Sequence, residues 1–174
     1  MIVRAATAAD AEAIAAITNQ IIRDTLITFT TAEKTGAQVS DEIAEKGAYV
    51  QVAEEAGQIL GYVSLGGFRS GPGYARTAEH AIYLTEAARG RGTGRALIAA
   101  IEKVARRDGI HVLVAGISAL NAGGLGFHAA MGFVEVGRMP EVGYKWGQWL
   151  DLVLMQKILS PKGVGPADSP AKAG

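Results

Sequence analysis

Residues 89–95 read RGRGTGR, and a helical pattern begins directly behind them. Leu97, Ile101 and Val104 recur at spacings of four and three, which marks one inward face of a helix over Gly94–Arg107. Ahead of the loop, Ala78–Leu84 reads as a strand. A strand that feeds a glycine-rich loop opening a helix is suited to an anion. The first amides of a helix have no internal partners, and the helix dipole places partial positive charge there. Glycines let the backbone approach a phosphate and take left-handed conformations. Arg89, Arg91 and Arg95 add forked donors that match phosphate oxygens. The loop Arg89, Gly90, Arg91, Gly92, Thr93, Gly94, Arg95 is therefore the expected phosphate cradle. Two common phosphate motifs do not fit it. No Lys-Ser or Lys-Thr follows the glycines as a nucleotide P-loop requires, and the spacing G-x-G-x-G is not the dinucleotide G-x-G-x-x-G.

Working outward, Ile2–Ala5 reads as a strand. Thr7 and Asp10 form an acidic variant of a capping box ahead of a helix that carries Ile14, Ile17 and Ile21 and ends near Asp24. Val39 and Ile43 share a face of a shorter helix ending before Gly47. Tyr49–Glu54 and Gln58–Phe68 read as strands joined by a tight turn. Behind the loop helix, the apolar, β-branched run at 111–118 reads as a buried central strand. Asn121 opens a helix that ends at Gly132, followed by strands at Phe133–Arg138 and Leu150–Met155. The order βααβββαβαββ predicts one mixed α/β layer structure over residues 1–158. Residues 159–174 are rich in Pro, Gly and Ala without apolar periodicity, so a disordered tail is expected.

Composition narrows the function classes. The 174 residues carry zero net charge, which argues against a general nucleic-acid or membrane-surface binder. With no cysteine, thiolate metal sites and a Cys nucleophile are absent. His80, His111 and His128 are too scattered for a zinc motif, so no metal is expected. No apolar run reaches the roughly 18 residues of a membrane span, and the N-terminus lacks a secretory pattern. A cytoplasmic protein is the expectation.

The order Arg89-x-x-Gly92-x-Gly94 matches [QR]-x-x-G-x-[GA], which resembles the signature of the GNAT N-acetyltransferase superfamily. The stretches 77–97, 121–133 and 143–157, with the opening helix and the segment at 28–35, are similar to the phosphinothricin and methionine sulfoximine N-acetyltransferases. The resemblance covers Ile2–Lys157. It implies a mostly antiparallel central sheet with two splayed strands, flanked by helices. It also implies acetyl-coenzyme A as co-substrate, a small amino-acid-like amine as acceptor, and a homodimer.

Acetyl transfer requires a neutral amine, so a base must take a proton from the ammonium form. On the residues alone, Glu79 reads as a strand carboxylate in an ion pair. The resemblance makes it the base, through the pattern Thr77-x-Glu79-x-x-x-Tyr83. It also assigns the backbone of Ile82, Tyr83 and Leu84 to the pantetheine arm and the acetyl oxygen, where amides stabilise an oxyanion. His128 stands four residues before Gly132, where many relatives carry the acid that protonates the thiolate; the other reading is a packing histidine. Asn121 reads as a helix cap and, by resemblance, as a coenzyme contact. Gly124 stands where relatives often have serine. Arg69, Tyr74 and Arg76, with Phe29, are the expected substrate contacts. Here the chain departs from the pattern: Ala75 stands where relatives carry arginine, and Arg76 comes one place later, which on a strand faces the other way. The 144–146 cluster Tyr-Lys-Trp is expected in the pocket, at a dimer contact, or in ordinary packing. Acetylation of peptide or protein amines, and coenzyme binding without catalysis, remain as alternatives. The retained Glu79 speaks against the last.

Overall fold

The first helix starts as its sequence requires. Asp10 accepts from the Thr7 amide at 2.8 Å, completing the reciprocal capping box ahead of α1 (Ala11–Asp24). Arg4 grips the same carboxylate with two donors at 2.7 and 2.8 Å and also pairs with Glu54. This ties β1 (Ile2–Ala5) and β2 (Val50–Glu55) to the start of α1. Paired in this way, Asp10 is held at a pKa of about 2, chiefly by its hydrogen bonds from Arg4.

A computed structural model describes residues 1–159. The tail expected at 159–174 lies outside them except for Leu159, which is buried and donates its N–H to the His111 carbonyl at 2.8 Å. The remaining elements are α2 (Gly36–Lys46), β3 (Gln58–Gly67), β4 (Thr77–Leu84), α3 (Thr93–Arg107), β5 (Val112–Ser118), α4 (Ala122–Ala130), β6 (Val134–Lys145) and β7 (Gln148–Ile158). The strands form one seven-stranded sheet in the order β1-β2-β3-β4-β5-β7-β6. Every pairing is antiparallel except β4–β5.

Alternation along the strands divides the core in two. Val52 and Tyr62 belong to a cluster with Ile14, Ile17, Val39 and Ile43 of α1 and α2. Their neighbours Ala53 and Val63 belong to the other, with Leu97, Ile98 and Ile101 of α3. The sheet therefore carries helices on both faces, as the resemblance implied.

Two strands are longer than the sequence suggested. β6 was expected at Phe133–Arg138 and runs over Val134–Lys145; β7 was expected at Leu150–Met155 and runs over Gln148–Ile158. Pro140 falls where the register shifts between Met139 and Gly143, and a bulge on an edge strand tolerates proline. The hairpin turns at Trp146-Gly147, both at positive φ (51° and 80°), a turn that no Asn-Gly or Asp-Gly announced.

The hairpin also brings back a buried cation. The Lys145 Nζ donates to the carbonyls of Ile22, Thr25 and Thr28 at 2.8, 2.8 and 3.0 Å, and lies 4.6 Å from the centre of the Trp146 ring. It satisfies carbonyls at the C-terminal end of α1 and in the following loop, which a helix cannot satisfy alone. Lys145 is thus a packing residue, one of the readings kept open for that cluster, while Trp146 stays more than half exposed.

The feature that shapes the site is the short reach of the parallel pairing. β4 and β5 pair only from Thr77–Glu79 to Val112–Val114. Past Glu79, His80–Leu84 stay bonded to β3 and Ala115–Ser118 to β7, and the two strands part.

Candidate active site

A cleft of about 340 Å³ opens where β4 and β5 separate. Glu79 stands at its apex, and His80, Ala81, Ile82 and Tyr83 form one wall. Gly116 and Ile117 of β5 form the other, with Asn121 and His128 beside them. Gly66 and Gly67 of β3 pair with Glu79 and Ala78 and keep that side open. Gly116 leaves room for the carboxylate: a Cβ there would lie 2.9 Å from Glu79 Oε1 and displace that end of the side chain. The glutamate is exposed to the cleft, and partial desolvation by the cleft walls raises its pKa above the ordinary value. It has no ion-pair partner among the described residues, so the ion-pair reading of Glu79 is not realised there.

A second cleft of about 340 Å³ continues past the splay toward α3 and α4. It is lined by Ile82, Tyr83 and Leu84, by Arg89 and Gly90, and by Asn121, Gly123, Gly124, Phe127 and His128. It therefore joins the separated stretch of β4 to the glycine loop. Gly90 and Gly92 sit at φ 72° and 81°, and a side chain at either would meet only open space, so the loop is shaped by backbone freedom and not by packing. Gly92 immediately precedes α3, whose first amides face the loop side. Gly94 has a different reason: a Cβ there would stand 3.0 Å from the Phe127 ring, so its absence lets α3 approach α4. Thr93 is buried with its hydroxyl on Met1 Sδ, which leaves only its backbone for a ligand. Of the arginines, Arg91 pairs with Glu55 at 2.7 Å, while Arg89 and Arg95 are exposed and without carboxylate partners among the described residues. Loop amides, glycines and a free arginine at the end of a long, mainly apolar cleft fit a pyrophosphate with a pantetheine arm behind it.

His128 reaches both clefts, but both of its ring nitrogens are engaged. Nδ1 lies 2.7 Å from the Gly124 carbonyl, which can only accept, so Nδ1 carries the proton. Nε2 therefore accepts from His80 Nε2–H, 3.0 Å away. Both rings are buried against Phe133. Burial lowers the pKa of each; His128 adds to the lowering at His80, while the Val114 and Gly124 carbonyls act in the opposite sense. The pair is neutral near neutral pH, and both His128 nitrogens are held by protein partners.

Asn121 caps α4, its Oδ1 accepting the Gly124 amide at 2.9 Å, and it also lines both clefts. Gly124 belongs to this cap, because a Cβ there would meet the Asn121 amide group at 2.4 Å.

The four residues expected to hold the substrate are not in these clefts. Phe29 packs on β6, where a Cβ at Gly143 would strike its ring at 2.2 Å. Arg69 lies over the Phe68 ring, which Tyr74 meets edge-on. Arg76 donates to the Gly109 carbonyl at 3.0 Å. The charged group that does line the main cleft opposite Glu79 is Lys46, at the end of α2. Nothing in the sequence marked it, since a lysine in the last turn of a helix is ordinary. Gly66-Gly67 did carry a signal, as paired glycines inside a strand indicate a close approach.

With this geometry in view, the comparisons agree with one another. A family model described as Acetyltransferase (GNAT) domain matches residues 3–154. An L-methionine sulfoximine/L-methionine sulfone acetyltransferase of Pseudomonas paraeruginosa is 42% identical over 127 residues, 72% of this chain and 74% of that protein. A ribosomal-protein-alanine N-acetyltransferase structure from Brucella melitensis superposes with TM-score 0.85 at 40% identity, covering 91% of this chain and 99% of the other. A phosphinothricin acetyltransferase structure from Sinorhizobium meliloti, solved with acetyl-coenzyme A, superposes with TM-score 0.89 at 28% identity, covering 97% and 94%. A sheet that splays at a half-enclosed glutamate, a glycine loop at a helix start and these matches lead to one conclusion: the chain belongs to the GNAT family and is an N-acetyltransferase.

Proposed function

We propose that this protein transfers the acetyl group of acetyl-coenzyme A to the α-amine of a small amino acid of the methionine sulfoximine or phosphinothricin type. The observation that carries this reading is Glu79, unpaired and partly desolvated at the apex of the splay in the main cleft, which shares Ile82, Tyr83, Asn121 and His128 with the cleft toward the glycine loop. A base with a raised pKa is matched to an ammonium group near neutral pH. Glu79 takes one proton from the acceptor, directly or through a water. Arg89, Gly90 and the amides from Gly92 to Arg95 hold the pyrophosphate. The backbone of Ile82–Leu84, freed from β5, holds the pantetheine arm and the acetyl oxygen. The coenzyme supplies the activated thioester. After attack the nitrogen still carries a surplus proton, and it is the nearest acid for the departing sulfur. His128, tied to Gly124 and His80, shapes the wall and is not required to donate. A second copy of the chain covers the apolar β6–β7 face, which makes the enzyme a homodimer.

The test is thiol release from acetyl-coenzyme A with methionine sulfoximine, methionine sulfone, phosphinothricin, common amino acids and a short peptide. Release with the free amino acids and not with the peptide is expected. Preferential release with the peptide would replace this reading with protein or peptide acetylation, the activity named for the Brucella relative.

A further inference from the structure

Between α1 and α2 the chain forms neither helix nor strand from Thr25 to Thr35. Its first half nevertheless walls the site. Ile27 lines both the main cleft and the cleft toward the glycine loop. Thr28 and Thr30 line a third cleft, of about 300 Å³, which shares Ser64, Ala81 and Tyr83 with the main one. A segment without a hydrogen-bond ladder of its own needs an outside anchor to keep one shape.

Lys145 is placed to be that anchor. Alternation along β6 puts Gly143 and Lys145 on one face and Tyr144 on the other. Tyr144 is exposed, whereas Lys145 is only 1% exposed. Its Nζ has three protons to donate, and the carbonyls of Ile22, Thr25 and Thr28 take one each. No carboxylate pairs with it among the described residues. A buried ammonium is unfavourable unless every donor is met, so the three carbonyls are held to their places around it. The Ile22 carbonyl belongs to the last turn of α1 and has no partner within the helix. The carbonyls of Thr25 and Thr28 lie beyond the helix, and gathering them on one point bends the stretch that carries Ile27 between them. Gly143, on the same face of β6, receives the Phe29 ring, which a Cβ there would strike. Among the described residues, the backbone from Thr25 to Thr30 makes no other hydrogen bond outside itself and α1.

We infer that Lys145 is a positioning residue for the acetyl transfer: its ammonium fixes the path of Thr25–Thr30, and the β6–β7 hairpin thereby sets the cleft wall that meets the acceptor near Glu79. This rests on the proposed transfer to a small amine. Lys145 itself lines none of the three clefts, so it acts on the acceptor only through the segment it holds. It makes no contact with the glycine loop or with the freed backbone of β4, where the coenzyme is proposed to lie.

The experiment uses Lys145→Met, which keeps the apolar stem and removes the charge and donors, and Gly143→Ala, which leaves the lysine in place and pushes on Phe29. The acceptor is whichever amine the wild type acetylates best. In Lys145→Met, KM for the acceptor should rise roughly tenfold or more, the size of a lost charge-assisted hydrogen bond, with kcat and the Kd for coenzyme A little changed. Gly143→Ala should raise the acceptor KM in the same sense. Amide hydrogen exchange should quicken at residues 25–30 of Lys145→Met and keep its wild-type rate in β4 and α3. An unchanged acceptor KM in folded Lys145→Met overturns the inference. Where that variant does not fold, an unchanged KM in Gly143→Ala overturns it. Equal losses in kcat, acceptor KM and coenzyme affinity, with exchange quickened throughout the sheet, give the lysine a role in stability alone and overturn it too. A wild type that acetylates only peptides overturns the proposed function and leaves this inference standing, with the peptide as the acceptor whose KM is read. Silence with every amine overturns both.

Discussion

Glu79 shows how a single residue depends on its neighbours. Desolvation raises its pKa, and Gly116 leaves the room its carboxylate occupies. As a base it must be ionised, so kcat/KM should fall as pH drops through a value above that of an ordinary glutamate, and it should stay high above it. Glu79→Gln should lower kcat by about 10²–10⁴-fold, the usual range for a lost general base, with coenzyme affinity retained. Near-normal turnover in that variant, or an unchanged acid limb in its pH profile, would remove Glu79 from the role. Only the resemblance singled out this glutamate, through the Thr77-Glu79-Tyr83 pattern. Its lack of an ion pair was not, because the absence of a neighbouring cation is a fact of packing. The histidine pair was equally hidden: His80 and His128 are 48 residues apart, and only the sheet and α4 bring their rings to 3.0 Å.

At the scale of elements, the loop at 89–95 was the most legible feature. Glycine spacing before a helix is local chemistry, and the positive φ at Gly90 and Gly92 realises it. Gly92→Val would place a β-branched residue at φ 81° in open space. The left-handed conformation costs about 1–2 kcal/mol, so coenzyme affinity should weaken roughly five- to thirtyfold as the loop relaxes away from it. Calorimetric titration with coenzyme A would show this, and an unchanged Kd would undo the cradle. The β6–β7 hairpin was the least legible element. Pro140 and the glycines interrupt the local signal, while the bond ladder to β7, formed between residues far along the hairpin, carries the strand through.

At the scale of the whole molecule, β6 is an edge strand, and the hairpin exposes Val134, Val136, Met139, Val142, Tyr144 and Trp149. Trp149 is 62% and Tyr144 56% exposed with their rings in contact, and an exposed apolar cluster of this kind marks an interaction surface. Sedimentation equilibrium should give twice the chain mass, and Tyr144→Glu with Trp149→Glu should reduce it to one. A wild-type monomer at micromolar concentration would overturn the dimer. The order of elements and the glycine loop were written in the chain, because capping, periodicity and turn preference act between residues a few positions apart; helices on both faces of the sheet were implied by the resemblance. The place where β4 leaves β5, the pairing of His80 with His128, the removal of Phe29, Arg69, Tyr74 and Arg76 from the cleft and the arrival of Lys46 in it came from the folded sheet. They depend on register and on which helix face meets which strand, and those are settled by the simultaneous burial of residues distant in sequence.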